Sequence, residues 1–333
     1  MTNQTCKAAV LTKKHTIEVM DVQMPECGRD GMIIKLEAAS ICGTDLHLFE
    51  EDPAYPVILG HELCGRVVEM GPDAAKSMRC YTGEVKLGDR ICLYPWVVCG
   101  TCENCLTYGI GACGVCDNSF VYGVPYESLG FGGAPIRSNS IYEAPYIKGG
   151  FGEYMYVFPG TFMWQVPDDM PSNVASLLDP MAVAMRGVEL AMRAPGIFED
   201  SFNLGSTALV IGDGQIAALV ATIARTLGIQ HIIISGFSDQ KLHLAKELSG
   251  ADEVMNSSKL PSKNAVQSST NTTTRTALTS SSSAQVRSMR SATAWICSKT
   301  SARWLKSATS APVSPWSSIR ARICVASMLR ISA

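Results

Sequence analysis

The sequence predicts an α/β plus β protein, in which a small β-barrel unit precedes a parallel sheet covered by helices. Short apolar runs of strand length, separated by Gly, Pro and Asp, fill the beginning of the chain. From about residue 207, continuous apolar strands alternate with amphipathic helical segments, a pattern typical of βαβ units. With 333 residues, the chain is long enough for about two domains.

The first region predicts short β-strands, and the alternation of apolar and polar residues in IIKLEA is typical of half-buried strands. The predicted strands are the segments KAAVL, HTIEVMDV, GMIIKLEAAS, ELCGRVVEMG and GDRICLY. Residues 120–150 are rich in Gly, Pro and Tyr and show no period, so they predict a long loop that either lines a substrate cleft or is simply mobile. A helix is expected on either side of Pro180, with Ser172 as its N-cap.

The second region predicts strands and helices in strict alternation. TALVIGDG is a buried strand that runs into glycines, and QIAALVATIARTLG is a helix that ends at Gly228. HIIISG, SDQKLHLAKELSG and ADEVMN then predict a strand, a helix and a third strand. Short connections between such elements indicate a parallel sheet, and the pattern stops after Asn256.

Residues 257–333 differ in kind from the rest of the chain. They contain 11 Lys and Arg, 29 Ser and Thr, and no Asp, Glu or Gly, whereas residues 1–256 have a net charge of −13. This composition predicts disorder and leaves the parallel sheet incomplete. A reading frame lost near residue 257, a genuine basic tail and a divergent folded ending are the three explanations.

Composition also excludes several classes of protein. No uncharged apolar run approaches the ~20 residues of a membrane span, and the first ten residues lack a secretory signal, so a cytoplasmic protein is expected. Thirteen cysteines in a cytosolic chain of this length indicate metal binding more than disulfides. The negative charge of residues 1–256 argues against a specific nucleic-acid partner.

Four cysteines predict a structural zinc site. Cys99, Cys102, Cys105 and Cys113 follow the pattern C-x2-C-x2-C-x7-C, which supplies four soft donors for tetrahedral Zn²⁺ and closes the site completely. The alternative is that these thiols are buried as small apolar groups, and Cys116 is expected to be a bystander. The lobe is predicted to span residues 95–118.

A second constellation follows the third predicted strand. Cys42-Gly43-Thr44-Asp45 and His47 form the first part, and Gly60-His61-Glu62 follow some twenty residues after Cys42. Together with the cysteine lobe downstream, residues 7–256 resemble the zinc-dependent medium-chain alcohol and polyol dehydrogenases, which combine a GroES-like domain with a Rossmann domain. The resemblance implies domains at 1–185 and 186–256, the second being only the first half of a Rossmann domain.

The resemblance implies a catalytic zinc in addition to the structural one. Cys42 and His61 match two ligands, and the third is either Asp179, where related chains carry Glu, or Glu62. Asp45 resembles the carboxylate that orients the ligand histidine. A catalytic zinc makes a bound hydroxyl more acidic.

Two further residues match the family's proton path. Thr44 matches the hydroxyl that hydrogen-bonds the substrate oxygen, and His47 matches the group that passes the proton to solvent. A helix cap at Thr44 and a surface position for His47 are the alternatives.

A glycine motif predicts NAD(P) binding. Gly212, Gly214, Gln215, Ile216 and Ala217 fit the G-x-G-x-x-G/A pattern between a strand and a helix, where backbone amides receive a pyrophosphate. Gly236 ends the second strand, where NAD-binding members carry an acidic residue, and Lys241 could neutralise a 2′-phosphate. NADP is therefore slightly favoured, with Asp239 as a shifted carboxylate that would restore NAD.

The expected function is hydride transfer between a secondary alcohol or polyol and NAD(P). The alternative is a zinc protein without a complete cofactor pocket and hence without activity. The resemblance implies a homo-oligomer, although the sheet edge that pairs subunits would fall within the atypical tail.

Overall fold

The computed structural model describes residues 4–125, 138–192, 207–259 and 296–297. These residues form two compact units, Met1–Asp179 and Pro180–Ala333. The boundary expected between residues 185 and 186 falls inside a helix, Leu178–Met192. Most of the basic Ser/Thr-rich segment, and the predictions made for it, lie outside the described residues. Among the helices of the described ranges, none is long and apolar enough to cross a membrane.

The first unit is built mainly from strands, as predicted. Its sheets have the strand orders β2-β1-β4, β10-β3-β5-β7-β11-β6 and β8-β9. The strands are β1 (Thr5–Lys13), β2 (Thr16–Gln23), β3 (Met32–Ser40), β4 (Val57–Ile58), β5 (Glu62–Met70), β6 (Arg79–Cys80), β7 (Arg90–Leu93), β8 (Trp96–Val97), β9 (Phe120–Val121), β10 (Tyr154–Val157) and β11 (Phe162–Gln165).

Short helices connect these strands. They are α1 (Gly43–Phe49), α2 (Ala74–Ser77), α3 (Glu103–Tyr108) and α4 (Ser172–Ala175), with a 3-10 helix at Gly109–Gly114. The predicted helix around Pro180 is split into α4 and α5 (Leu178–Met192). Pro180 lies in the first turn of α5, where its missing N–H costs no helical hydrogen bond. Pro171, not Ser172, is the N-cap of α4.

The core of the first unit comes from the inward residues of its largest sheet. Met32, Ile34, Ile91, Met155 and Met163 have no exposed surface. They lie on β3, β7, β10 and β11, and neighbouring residues on these strands are also buried, so the strands are covered on both faces over part of their length. These strands give a rigid frame whose ends carry the site.

Three parallel strands form the sheet of the second unit: β12 (Thr207–Ile211), β13 (His231–Gly236) and β14 (Glu253–Asn256). A two-residue strand, β15 (Ile296–Cys297), adds an antiparallel neighbour to β12, so the sheet is mixed. The helices α6 (Gln215–Thr226) and α7 (Asp239–Ser249) connect the parallel strands in the predicted order. A 3-10 helix, Ser257–Lys259, follows β14.

Helix α6 packs through a stripe of small residues. Ala217, Val220, Ala221 and Ala224 are buried at helical spacing. They contact the same cluster as Ile232 and Ile234 of β13, both without exposed surface. The tight packing brings the amino end of α6 close to the carboxyl ends of β12 and β13.

Candidate functional site

Strand register brings the Cys42 and His61 segments together. In the β3–β5 pair, Ser40 lies opposite Glu62, so the residues just after β3 and just before β5 emerge at the same end of the sheet. Cys42 is the N-cap of α1, and His61 precedes β5 directly. Segments nearly twenty residues apart in sequence are thereby neighbours.

Cys42, His61 and Glu62 form a group of three ligand atoms that all lie within 4.8 Å of one another. His61 and Glu62 are buried, and Cys42 is half-buried. Tetrahedral zinc, with bonds of about 2.0–2.3 Å to nitrogen, oxygen and sulfur, needs donors at such separations. Glu62 is one of the two carboxylates proposed for the third position; Asp179, the other, lies outside this group.

Two buried polar atoms of the group lack a hydrogen-bond partner among the described residues: Nδ1 of His61 and Oε2 of Glu62. An orphaned buried polar atom is costly, because it has lost water without a replacement. The nearest carboxylate oxygen to His61 Nδ1, in Asp45, is 3.8 Å away, beyond hydrogen-bond distance. A metal ion bound to this group would satisfy such atoms.

The charges around the group also fit a cation. Burial, and then the charge of Glu62, raise the pKa of Cys42 to about 12. Burial raises the pKa of Glu62, and Asp179 and Asp45 add to that increase. Burial likewise raises the pKa of Asp179, with His61 opposing it. A divalent cation would relieve this crowding of acidic groups.

Asp45 fixes the shape of the site through the backbone. Its carboxylate accepts hydrogen bonds from the N–H of Cys42 at 2.8 Å and from the N–H of Gly60 at 3.1 Å. It is buried in the first turn of α1. Asp45 therefore connects the Cys42 turn to the His61 turn, a more direct restraint than the predicted contact with the histidine ring.

Thr44 and His47 lie on α1, three residues apart. The Cys42 thiol lies 3.7 Å from Oγ1 of Thr44 and donates to it. Thr44 is half-buried, whereas His47 is exposed in the last turn of the helix. A spacing of three residues places both side chains on one side of the helix. Thr44 lies next to Cys42, and His47 lies towards solvent.

Backbone packing holds the His61 turn in place. Gly60 O accepts from Gly150 N at 2.8 Å, and Lys148 O accepts from Gly123 N at 2.9 Å. A Cβ at Gly149 would lie 2.0 Å from Ile58 O, so only glycine allows this approach. The described part of the predicted loop 120–150 is thus an ordered support for the site, and residues 126–137 lie outside the described ranges. Nothing in the sequence pattern indicated this role.

The second cysteine group differs from the predicted one. Cys99, Cys102, Cys105 and Cys116 bring their sulfur atoms within 4.8 Å of one another. The separations are 3.8 Å from Cys99 to Cys105 and 4.0 Å from Cys102 to Cys116. Four thiolates at about 2.3 Å from one zinc are about 3.8 Å apart, so the group fits a tetrahedral site.

Cys116 therefore replaces Cys113 as the fourth member of the predicted quartet. Ala112 is fully buried among these cysteines, and its carbonyl accepts from Cys116 N at 2.6 Å. Cys113 is instead directed to Tyr94, whose hydroxyl donates to its sulfur at 3.1 Å. Spacing alone could not separate two cysteines three residues apart at the end of a tight turn.

The lobe favours a thiolate at Cys99. Its burial disfavours the charged form, but hydrogen bonds from the N–H and hydroxyl of Thr101 and from Cys102 N outweigh burial and lower the pKa of Cys99 to about 6. The thiolate is the form that binds metal. The lobe is thus partly arranged for a cation by its own backbone.

The glycine motif forms a turn between β12 and α6. Gly212 has a φ of 136° and donates its N–H to Ser235 O at 2.7 Å, and Gly214 is the N-cap of α6. Gln215 begins the helix exposed, Ile216 is half-buried, and Ala217 is buried against the sheet. The amino end of a twelve-residue helix carries partial positive charge, which suits a pyrophosphate.

Gly236 ends β13, and the side chain next to it belongs to Asp213. Oδ2 of Asp213 accepts from the N–H of Phe237 at 2.9 Å and of Ser238 at 2.8 Å. Lys241 is exposed on the first turn of α7, and its backbone N–H bonds to the Ser238 hydroxyl. The Asp213 side chain thus turns from the glycine loop towards β13, a contact that the sequence did not predict.

Comparison with known proteins identifies one domain of the chain and a group of similar dehydrogenases. Residues 28–168 match the model of the alcohol dehydrogenase GroES-like domain. Similar curated proteins are L-threonine 3-dehydrogenases from Shewanella putrefaciens, 29% identical over 250 residues, and from Xanthomonas campestris, 31% identical over 245 residues. The matches cover 73% and 72% of this chain, but only 60% and 59% of those proteins.

Two solved structures extend the likeness to the second unit. An alcohol dehydrogenase from Thermotoga maritima is 26% identical with a TM-score of 0.62, over 80% of this chain and 67% of that one. A zinc-binding dehydrogenase from Sinorhizobium meliloti, bound to NADP, is 29% identical with a TM-score of 0.59, over 81% and 66%. Residues 28–168 thus correspond to an alcohol dehydrogenase GroES-like domain, the chain is similar to zinc-binding and alcohol dehydrogenases, and it spans about 60% of the length of the curated relatives it matches.

Proposed function

We propose that this chain is an oxidoreductase that transfers hydride between a secondary alcohol or polyol and a nicotinamide dinucleotide. The observation that carries the proposal is the group of Cys42, His61 and Glu62, with its two orphaned buried atoms. Zinc bound there would supply Lewis-acid chemistry, polarising a hydroxyl oxygen. Zinc bound by Cys99, Cys102, Cys105 and Cys116 would be structural, because four thiolates leave no open position.

The chain's own residues supply the proton path in this proposal. Thr44, half-buried beside Cys42, orients the alcohol by a hydrogen bond to its hydroxyl and accepts the proton there. His47, exposed on the same side of α1, takes the proton on to solvent. Asp45 keeps both ligand turns at a fixed separation through two backbone amides.

The nucleotide is expected to bind at the amino end of α6. Gly212 and Gly214 let the backbone approach the pyrophosphate, and the helix end attracts its charge. One solved relative of this chain is bound to NADP. The names of the curated relatives make L-threonine, itself a secondary alcohol, the first substrate to test.

Metal content and turnover test the proposal together. Zinc-loaded protein should contain two zinc ions by mass spectrometry and should produce the reduced-nicotinamide absorbance with an alcohol. Cys42→Ser should abolish turnover and leave one zinc, whereas the control Cys80→Ser, whose sulfur contacts Thr82 outside both groups, should keep both. A folded protein with two zinc ions and no coenzyme binding would instead be a non-catalytic zinc protein.

A further inference from the structure

We infer that Asp213 makes the nucleotide site selective for NAD over NADP, taking over a role that Gly236 cannot perform. The inference deepens the proposed function and rests on it. Asp213 lies between the two glycines of the β12–α6 turn, yet its carboxylate reaches the end of β13. A carboxylate thereby occupies the place where the sequence showed none.

The first argument is the space at Gly236. A Cβ added to Gly236 would lie 2.5 Å from Cβ and 2.9 Å from both Cγ and Oδ2 of Asp213. These separations are shorter than any van der Waals contact, so Gly236 and Asp213 form a complementary pair. The Asp213 carboxylate fills the volume that a side chain at the end of β13 would otherwise take.

The second argument concerns hydrogen-bond donors. The N–H groups of Phe237 and Ser238 are the first two after β13, and both donate to Oδ2 of Asp213. A 2′-phosphate at this end of the strand would need such donors, and here they already serve a carboxylate. A ribose 2′-hydroxyl needs an acceptor instead, since it can donate its own hydrogen to a carboxylate oxygen.

The third argument is charge. A 2′-phosphate beside Asp213 would be repelled at short range, whereas a hydroxyl would not. Lys241 contributes one exposed positive charge on α7. Asp239 does not act as the carboxylate for the ribose, because its two oxygens accept from Asn256 at 2.7 Å and Lys259 at 2.5 Å. The geometry therefore reverses the slight preference for NADP drawn from the sequence.

Calorimetric titration of the full chain with NADH and NADPH tests the inference without turnover. The wild type should bind NADPH at least about tenfold more weakly than NADH. Asp213→Asn keeps an oxygen that can accept from both N–H groups but removes the charge. It should decrease the ratio of the NADPH dissociation constant to the NADH dissociation constant by about tenfold. Asp239→Asn, the matched control, should leave the ratio unchanged within about twofold.

A paired variant tests the spatial argument. Gly236→Asp alone should lose nucleotide affinity, because the new side chain collides with Asp213. Gly236→Asp combined with Asp213→Gly should recover binding and the preference for NADH. Recovery of binding without a preference for NADH would overturn the idea that a carboxylate at position 213 and one at position 236 have the same effect.

The outcomes separate this inference from the proposed function. Tight binding of both coenzymes with equal affinity, or an unchanged ratio in Asp213→Asn, would overturn the role of Asp213 and leave the dehydrogenase proposal standing. Binding of neither coenzyme, nor of ADP-ribose, by folded protein would overturn the proposed function, and this inference with it.

Discussion

A buried lysine in the first unit carries a cost of charge burial that an apolar side chain would not carry. Lys148 has 2% of its surface exposed, and its ammonium group donates to Glu143 O at 2.9 Å. Burial lowers the pKa of Lys148 to about 8 from an ordinary value of 10.5, although Glu143 opposes the shift. Between these two values the unfolded chain holds a proton that the folded chain does not.

Replacement of Lys148 should therefore stabilise the protein in a pH-dependent way. Below pH 8 the folded protein carries the full cost of a buried charge, about 3 kcal/mol, and the cost disappears as the pH rises to about 10.5. Lys148→Met should raise the free energy of unfolding at pH 7 by up to this amount and by much less at pH 10. Lys76→Met, at an exposed site, serves as the control in urea titrations. A difference that is independent of pH would contradict the prediction.

The choice between Cys113 and Cys116 can also be tested at single residues. Cys116→Ser should remove one zinc ion per chain and lower the thermal midpoint, since its sulfur completes the group. Cys113→Ser should keep both zinc ions, because its sulfur accepts from the Tyr94 hydroxyl and lies outside the group of four. Mass spectrometry of the native protein gives the count, and the reverse pattern would restore the quartet expected from spacing.

At the level of elements, the His61 turn depends on the segment around Gly149. An added Cβ at Gly149 would overlap Ile58 O at 2.0 Å and approach Leu59 O at 2.7 Å. Neither atom can move without displacing β4 and His61. Within residues 138–150, Gly149 and Gly150 thus support the turn that presents His61 to the candidate metal site.

Gly149→Ala should accordingly weaken the site without removing any ligand. We expect a loss of about 3 kcal/mol in unfolding free energy from overpacking, and weaker zinc binding at the Cys42 group. The zinc of the cysteine lobe should remain. Gly187→Ala, where an added Cβ meets no atom within 4 Å, is the matched control. Unchanged zinc affinity in the Gly149 variant would show that the turn tolerates displacement.

The sequence predicted features that depend on neighbouring residues, and it did not predict contacts between residues far apart in the chain. Alternation and helical spacing are local, and they correctly predicted five strands of the first unit and the strand–helix order of the second. The contact from Asp213 to the end of β13 joins residues more than twenty positions apart, and the packing of Gly149 on Ile58 joins residues about ninety apart. Such contacts depend on tertiary structure, so no local pattern indicated them.

For the whole molecule, metal binding should be a large part of the stability of the first unit. One candidate group places a half-buried thiol beside a buried histidine and carboxylate, and the other brings four thiols together, so a bound cation would stabilise both. A metal ion that binds only the folded state stabilises that state by mass action. A chelator should therefore lower the thermal midpoint, and added Zn²⁺ should restore it.

The same experiment assigns the effect to each group. Cys102→Ser, which removes the lobe group only, should have a lower thermal midpoint than the wild type before the chelator is added. The chelator should then decrease its midpoint by less than it decreases that of the wild type. Cys42→Ser should show a smaller change in midpoint, since the largest sheet of the first unit stays intact. Midpoints that do not respond to the chelator would contradict a structural role for either metal.

The contacts of Gly60 with Gly150, and of Gly149 with Ile58, have a consequence for how such a protein can diversify. Because main-chain atoms support the His61 turn, mutations of side chains that face a substrate do not change what holds the ligands. If the proposed function holds, a substitution that changes which alcohol is accepted can therefore leave the positions of Cys42 and His61 unchanged.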